Sequence, residues 1–190
     1  MVQLAYQPRE ASSRSIPGRT LHHMRVLLVP VGAVALSLLA ICPALSQPAR
    51  ITRAFIGTDG LAHVERNGGD RAIAKEPGQA AVDSLKVASD GRTVGWLVKQ
   101  DNCCTSYPIP TRLVVIARSR KFVFSQPQMI YDWYFLGDGE QVALSIGPTH
   151  GEAIPHFLLY DTHSGRKLED WSVASDTHSP PPSWTSGLRQ

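Results

Sequence analysis

The sequence predicts an all-β fold, an antiparallel meander of short strands, on three observations. Residues 82–98 can be laid over residues 130–146 at an offset of 48 residues, so one structural unit occurs twice. In both copies an Asp-Gly pair, Asp90-Gly91 and Asp138-Gly139, supplies the chemistry of a chain reversal with positive φ. Each pair is followed by apolar residues at every second position: Val94, Trp96 and Val98 in one copy, Val142, Leu144 and Ile146 in the other. That period of two belongs to a strand. The 15 Gly and 14 Pro spread through 190 residues favour many short elements over long helices.

The chain opens on segments that lie outside this pattern. Residues 26–41 contain no charge and one polar side chain, Ser37; Arg25 precedes them and Pro43-Ala44-Leu45-Ser46 follows. A basic residue, a short apolar run and small residues at a cleavage position describe a signal peptide, expected over residues 24–46 with cleavage after Ser46. The mature protein is then expected in the periplasm or outside the cell. The alternative is a membrane anchor formed by residues 26–41, but a spanning helix needs about 20 apolar residues, and Pro30 shortens the clean stretch. Cys42 follows Ile41, whereas a bacterial lipid-anchor cysteine follows a small residue. Residues 1–23 are polar and lie upstream of any ordinary signal peptide, so translation is expected to begin at Met24.

Removing the leader changes the electrostatic reading. Arg9, Arg14, Arg19 and Arg25 against Glu10 account for the whole net charge of +3. What remains has 15 cationic and 15 anionic side chains. No clustered positive surface is left to neutralise phosphates, so no nucleic acid is expected as a partner. Arg118, Arg120 and Lys121 form the densest basic spot, read as the solvated tip of a hairpin.

Strands are expected in order along residues 47–174. Residues 50–56 and 61–65 flank Gly57-Thr58-Asp59-Gly60, and 71–74 follow Asn67-Gly68-Gly69-Asp70, giving a partial first unit. Residues 85–88 and 94–98 flank the first Asp-Gly turn, and 113–117 and 122–124 flank residues 118–121. In the second copy, 133–136 and 142–146 flank Asp138-Gly139. The last pair, 157–160 and 167–171, flanks a loop in which Asp161 can cap the turn and Gly165 can take the left-handed conformation. Gly95, Leu97, Ala143 and Ser145, between the large apolar positions, are small or apolar, so both faces of these sheets are expected to be covered.

The units Ala88-Ser89-Asp90-Gly91-Arg92 with Val94-Gly95-Trp96-Leu97, Leu136-Gly137-Asp138-Gly139-Glu140 with Val142-Ala143-Leu144, and Leu159-Tyr160-Asp161-Thr162-His163-Ser164-Gly165-Arg166 resemble the repeats of WD40-like and TolB-like β-propellers. The likeness covers residues 82–171 and lacks the proline that often precedes Asp-Gly. It implies propeller-like blades, two full and one partial, and protein contact in the cell envelope through loops at one end of the blades. At 48 residues per unit, residues 47–190 hold three units, fewer than the four to eight blades of a closed ring. An open stack is therefore expected, completed by self-association into a homo-oligomer or capped by the Pro-rich tail, residues 175–190.

The oddest chemical feature is Cys103-Cys104. Paired thiols in an oxidising compartment become disulfides, and neighbouring Cα atoms are about 3.8 Å apart, shorter than the usual disulfide span. A bond between them closes a strained eight-membered ring, and strained disulfides are the labile, regulatory ones. The expected binding or redox loop comprises Asn102, Cys103, Cys104, Thr105 and Tyr107, with His150 and Glu152 from the matching loop of the second copy. A plain loop staple, or thiols bridging two chains, is the alternative. Loops 99–110 and 148–155 occupy matching places, so they should share one rim.

The remaining candidates carry less. His150, Glu152, His156, Asp161 and His163 gather within fourteen residues, but their spacing matches no zinc or copper signature, and no metal or other cofactor is expected. G-x-S-x-G, H-E-x-x-H and a phosphate-binding glycine loop are all missing, so no enzyme is expected. Trp96, Trp133, Tyr134, Phe135, Tyr160 and Trp171 fall within strands and read as core. Trp184, after Pro180-Pro181-Pro182, is expected to cover a sheet edge. The function expected is that of a non-enzymatic binding or scaffold module, the alternative being an envelope redox or small-ligand-binding protein using Cys103-Cys104.

Overall fold

The computed structural model describes residues 49–152, 154–175 and 179–189. The expected upstream extension 1–23 and signal peptide 24–46 lie outside the described residues. Among the described residues eleven strands run β1 (Ile51–Ile56), β2 (Ala62–Arg66), β3 (Gly69–Ala72), β4 (Gln79–Val87), β5 (Val94–Gln100), β6 (Ile109–Ala117), β7 (Arg120–Ser125), β8 (Met129–Leu136), β9 (Gln141–Gly147), β10 (His156–Asp161) and β11 (Lys167–Ser172). They form three antiparallel sheets in which every strand pairs with its sequence neighbours: β1-β2-β3, β4-β5-β6-β7 and β8-β9-β10-β11. The fold is thus the all-β meander of two full and one partial blade-like sheets, and none closes into a barrel. Among the described residues the only helical segments are single 3-10 turns at Gly137–Gly139 and Ser183–Thr185.

The duplication is preserved down to register. Val82 lies opposite Val98 in the second sheet, and Ile130 lies opposite Ile146 in the third. The first strand of each sheet carries an irregularity just beyond that pair, between Asp83 and Lys86 in β4 and between Ile130 and Asp132 in β8. An inserted residue reverses which side chains face the core, so alternation breaks there. This is why both strands are longer than their clean alternation predicts. The 3.1 Å bond from the Trp133 indole N–H to the Ser84 carbonyl shows what the first bulge does. It turns a backbone oxygen of the second sheet towards a buried donor of the third.

Other boundaries shift for local reasons. β6 begins at Ile109 rather than 113, and Pro110, opposite Lys99, sits at a register shift where a missing N–H is tolerated. The β6–β7 turn is only Arg118-Ser119, both with positive φ (49° and 65°), so Arg120 and Lys121 belong to the strand. Arg120 donates to the His163 carbonyl at 3.2 Å and Lys121 pairs with Glu76 at 2.7 Å. Two of the three cations at the expected solvated tip are therefore engaged. β3 likewise begins at Gly69, because Asn67-Gly68 alone makes the reversal (φ 51° and 75°).

The two Asp-Gly turns are not identical. Asp90 accepts the amides of Arg92 (2.8 Å) and Thr93 (2.9 Å), and Gly91 takes φ 63°. In the second copy Asp138 itself is left-handed (φ 54°) within the 3-10 turn. Ser89 bridges the two by donating to the Asp138 carboxylate at 2.5 Å. Neither connection is a two-residue loop: residues 88–93 and 137–140 lie between the strands. The loop after β10 follows its expectation, with Asp161 accepting the amides of His163 and Ser164 (3.0 and 2.7 Å) and Gly165 at φ 73°.

The three sheets stack face to face, and both faces of the middle one are buried. Trp96, Val98 and Val114 pack against Ala62 and Val64 of the first sheet. Leu97, Leu113 and Val115 pack against Trp133, Val142 and Leu144 of the third. The period-two pattern of β5 thus feeds two cores, one from each parity, and apolar burial of this kind contributes about 25 cal/mol per Å². Gly95 marks the closest approach: a Cβ there would lie 3.0 Å from the Trp133 ring and 3.0 Å from the Val114 carbonyl oxygen.

The outer face of the third sheet is closed by the tail. Trp184 meets Phe157 edge-on at 6.5 Å between ring centres and donates its indole N–H to Glu169 at 2.7 Å. Its carbonyl accepts the Tyr134 hydroxyl. The Arg189 amide reaches Asp132 at 3.2 Å. These contacts run from β11 to β8 across the face of the sheet, which corrects the expectation that Trp184 covers an edge. Phe157, stacked on Trp171 at 5.7 Å, is an outward-facing aromatic pair that only a crossing segment can shield.

Candidate functional site

The loop 101–108 between β5 and β6 is organised by Asn102. Its side-chain oxygen accepts the Cys104 amide at 2.7 Å, an Asx turn, and its amide group donates to the Thr105 hydroxyl. Thr105 in turn donates to the Tyr107 carbonyl at 2.5 Å. Gln100 and Thr111 close the base of the loop through a 2.8 Å side-chain bond. Within this turn the sulfurs of Cys103 and Cys104 are joined across a Cα–Cα step of 3.8 Å. Both cysteines are exposed, and Tyr107 is 56% exposed.

The loop after β9 is fixed from below. Tyr131, the extra residue in the β8 bulge, donates its hydroxyl to the Pro148 carbonyl. Gly147 is the only residue type that admits the Tyr131 ring there. From this anchor the chain carries His150 outward, and His150 Nε2 lies 3.3 Å from the Cys104 carbonyl oxygen. The two loops therefore meet on one rim. Glu152 is exposed on the same loop, and Ile154, 56% exposed, extends the apolar character of Tyr107.

The seven candidate residues thus divide. Asn102 and Thr105 are half-buried and shape the loop, whereas Cys103, Cys104, Tyr107, His150 and Glu152 face solvent. Tyr131, Gln100 and Thr111 support the rim and carry no sequence signal of that role. The other histidines are elsewhere engaged: His156 is 2.8 Å from Asp170 and His163 is 4.0 Å from Asp161. They do not converge with His150 on a common centre.

The tips of both loops are exposed. Two depressions, of about 700 Å³ and 440 Å³, lie between the first and second sheets and at the opposite rim, and neither is lined by residues of these loops. Tyr107 and Ile154 leave exposed aromatic and apolar tips around the turn.

Two ionic groupings lie away from the rim. On the outer face of the first sheet, His63 sits between carboxylates, 2.9 Å from Asp70 and 3.1 Å from Asp59, with Phe55 stacked on its ring at 5.1 Å. The bond to Asp70, then that to Asp59, raises the His63 pKa above 6.5. Beneath the tail, Lys86 of β4 approaches Asp132 of β8 at 3.4 Å and also donates to the Trp133 carbonyl. Burial pushes the Asp132 pKa up, but the Arg189 and Trp133 amides and Lys86 outweigh it and hold the carboxylate below its ordinary value. No known protein family matches this chain, and no curated protein matches it either.

Proposed function

We propose that this chain is a non-enzymatic binding or scaffold module of the periplasm or extracellular space, contacting a protein partner of the cell envelope through the rim that carries Cys103-Cys104 and His150. The observation behind this reading is the 3.3 Å approach of His150 Nε2 to the Cys104 carbonyl, which joins equivalent loops of two repeats into one exposed surface. The resemblance to WD40-like and TolB-like repeats supports it, since loops at one end of the blades are where such proteins meet partners. The signal-like residues 24–46 supply the compartment, and an oxidising compartment suits the joined cysteines.

The reading is tested by recovering the protein with its bound partner from its native compartment, comparing wild type with Tyr107→Ala/His150→Ala. Loss of the partner from the double variant, with retention by Arg118→Ala on the opposite rim, is the expected result. Equal recovery by all three rules out the rim. A second reading, an envelope redox protein, is favoured by the exposure of both joined sulfurs. Thiol titration across a redox series separates the two, because a redox protein must cycle Cys103-Cys104 at potentials its compartment reaches.

A further inference from the structure

Among the described residues, the two loops of the cysteine rim are linked by one hydrogen bond, the 3.3 Å contact of His150 Nε2 with the Cys104 carbonyl oxygen. A carbonyl can only accept, so Nε2 carries the proton in this contact. Below the tips each loop is tied to its own sheet, through the 2.8 Å bond between Gln100 and Thr111 and through the Tyr131 hydroxyl on the Pro148 carbonyl. The direction of the Cys104 carbonyl therefore decides whether the loops are joined.

Two constraints set that direction. The Asn102 side chain holds the Cys104 amide at 2.7 Å, but at an exposed turn, where water competes for both groups. The bond between Cys103 and Cys104 is covalent and closes a ring that contains the peptide linking them. It restricts ψ of Cys103 and φ of Cys104, and so sets where the Cys104 carbonyl leaves the ring. Residues 101–108 have no strand pairing that could take over this task.

The bond does little for the rest of the fold. Disulfides stabilise chiefly by closing long stretches of chain, and this one, at a sequence separation of 1, closes none. Neither cysteine belongs to an apolar core, and both are exposed, so an exchanging thiolate can reach the sulfurs. Opening the bond changes the rim and leaves the sheets packed.

We propose that Cys103-Cys104 is a redox lock on the rim: oxidised, the pair holds the two loops together, and reduced by a protein dithiol, it releases loop 101–108 from His150 and disperses the contact surface. A thiolate of the dithiol attacks one cysteine sulfur, and the other sulfur leaves as a thiolate and takes up a proton. The second thiol of the reductant then breaks the mixed disulfide. Two electrons and two protons end on the pair, and the reductant becomes a disulfide. The pair passes no electrons to a further substrate, which separates this role from that of a redox enzyme. The lock rests on the reading of the rim as the contact surface, yet its structural part is measurable without a partner.

The test follows the purified protein by NMR before and after dithiothreitol, with mass spectrometry counting free thiols, beside Cys103→Ser/Cys104→Ser. Reduction should speed amide exchange at Cys104 and Thr105 about tenfold or more. It should shift the His150 ring signals and leave those of His156 and His163 in place. The thermal midpoint should stay that of the oxidised protein, and reoxidation should restore every signal. The serine variant should show the reduced pattern without reductant; if it does not fold, reduced wild type decides. A bond that dithiothreitol fails to open, His150 signals unchanged on reduction, or exchange accelerated across all three sheets with a lowered midpoint overturns the proposal. Recovery of the partner from the native compartment separates the lock from the rim itself. Loss of the partner from both Tyr107→Ala/His150→Ala and the serine variant supports the lock. Retention by the serine variant alone sinks the lock and keeps the rim, whereas retention by both removes the rim and the lock with it.

Discussion

The indole N–H of Trp184 donates to the carboxylate of Glu169 at 2.7 Å, fastening the tail to the last strand of the third sheet while its ring covers Phe157. Without this crossing, Phe157 and Trp171 would present an apolar face to water. Trp184→Ala removes a half-buried indole and its bond, and should lower stability by about 2 kcal/mol, below the range for fully buried tryptophans. Urea denaturation reads this directly. A midpoint equal to that of wild type means the tail does not close the sheet.

Gly95 governs the spacing of the second and third sheets. Any Cβ there meets the Trp133 ring and the Val114 carbonyl at 3.0 Å, and a backbone oxygen cannot swing aside. Gly95→Val should therefore destabilise by about 1–3 kcal/mol through overpacking, although valine is the better strand former. An unchanged or raised thermal midpoint in calorimetry would show that the sheets lie further apart.

His63 gives the first sheet a pH dependence of known sign. Asp70 and Asp59 favour its protonated form, so its folded pKa lies above the unfolded value near 6.5. The stabilisation is fully present below about pH 6.5 and is lost as pH rises through the raised folded value. Wild type should therefore exceed His63→Gln in stability by more at pH 6 than at pH 9. A difference that stays constant across this window, measured by urea titration, would remove the ionic account of the cluster.

The parts of this fold legible in the sequence are those set by local chemistry. Alternation at Val94, Trp96 and Val98 marks a strand, Asp161 and Gly165 mark a capped loop, and the 48-residue offset marks the duplication. What was hidden depends on neighbours distant along the chain. The bulge at Ser84 becomes meaningful only when Trp133 of the next sheet needs an acceptor. The tail takes a face rather than an edge because Phe157 and Trp171, paired across two strands, create that face. At the rim, Asn102 before Cys103-Cys104 is a local turn signal, whereas the meeting of His150 with Cys104 depends on how two sheets stack. Tyr131, which holds the second loop, reads as an ordinary strand aromatic until the bulge turns it towards Pro148.

The most direct test of the account places a photo-crosslinking amino acid at Tyr107, at His150 and, separately, at Arg118 on the opposite rim, with irradiation in the native compartment. The account predicts that Tyr107 and His150 capture the same protein, in adducts of matching mass increment, and that Arg118 captures none of it. Different adducts from Tyr107 and His150, or the same protein captured equally from Arg118, would contradict it.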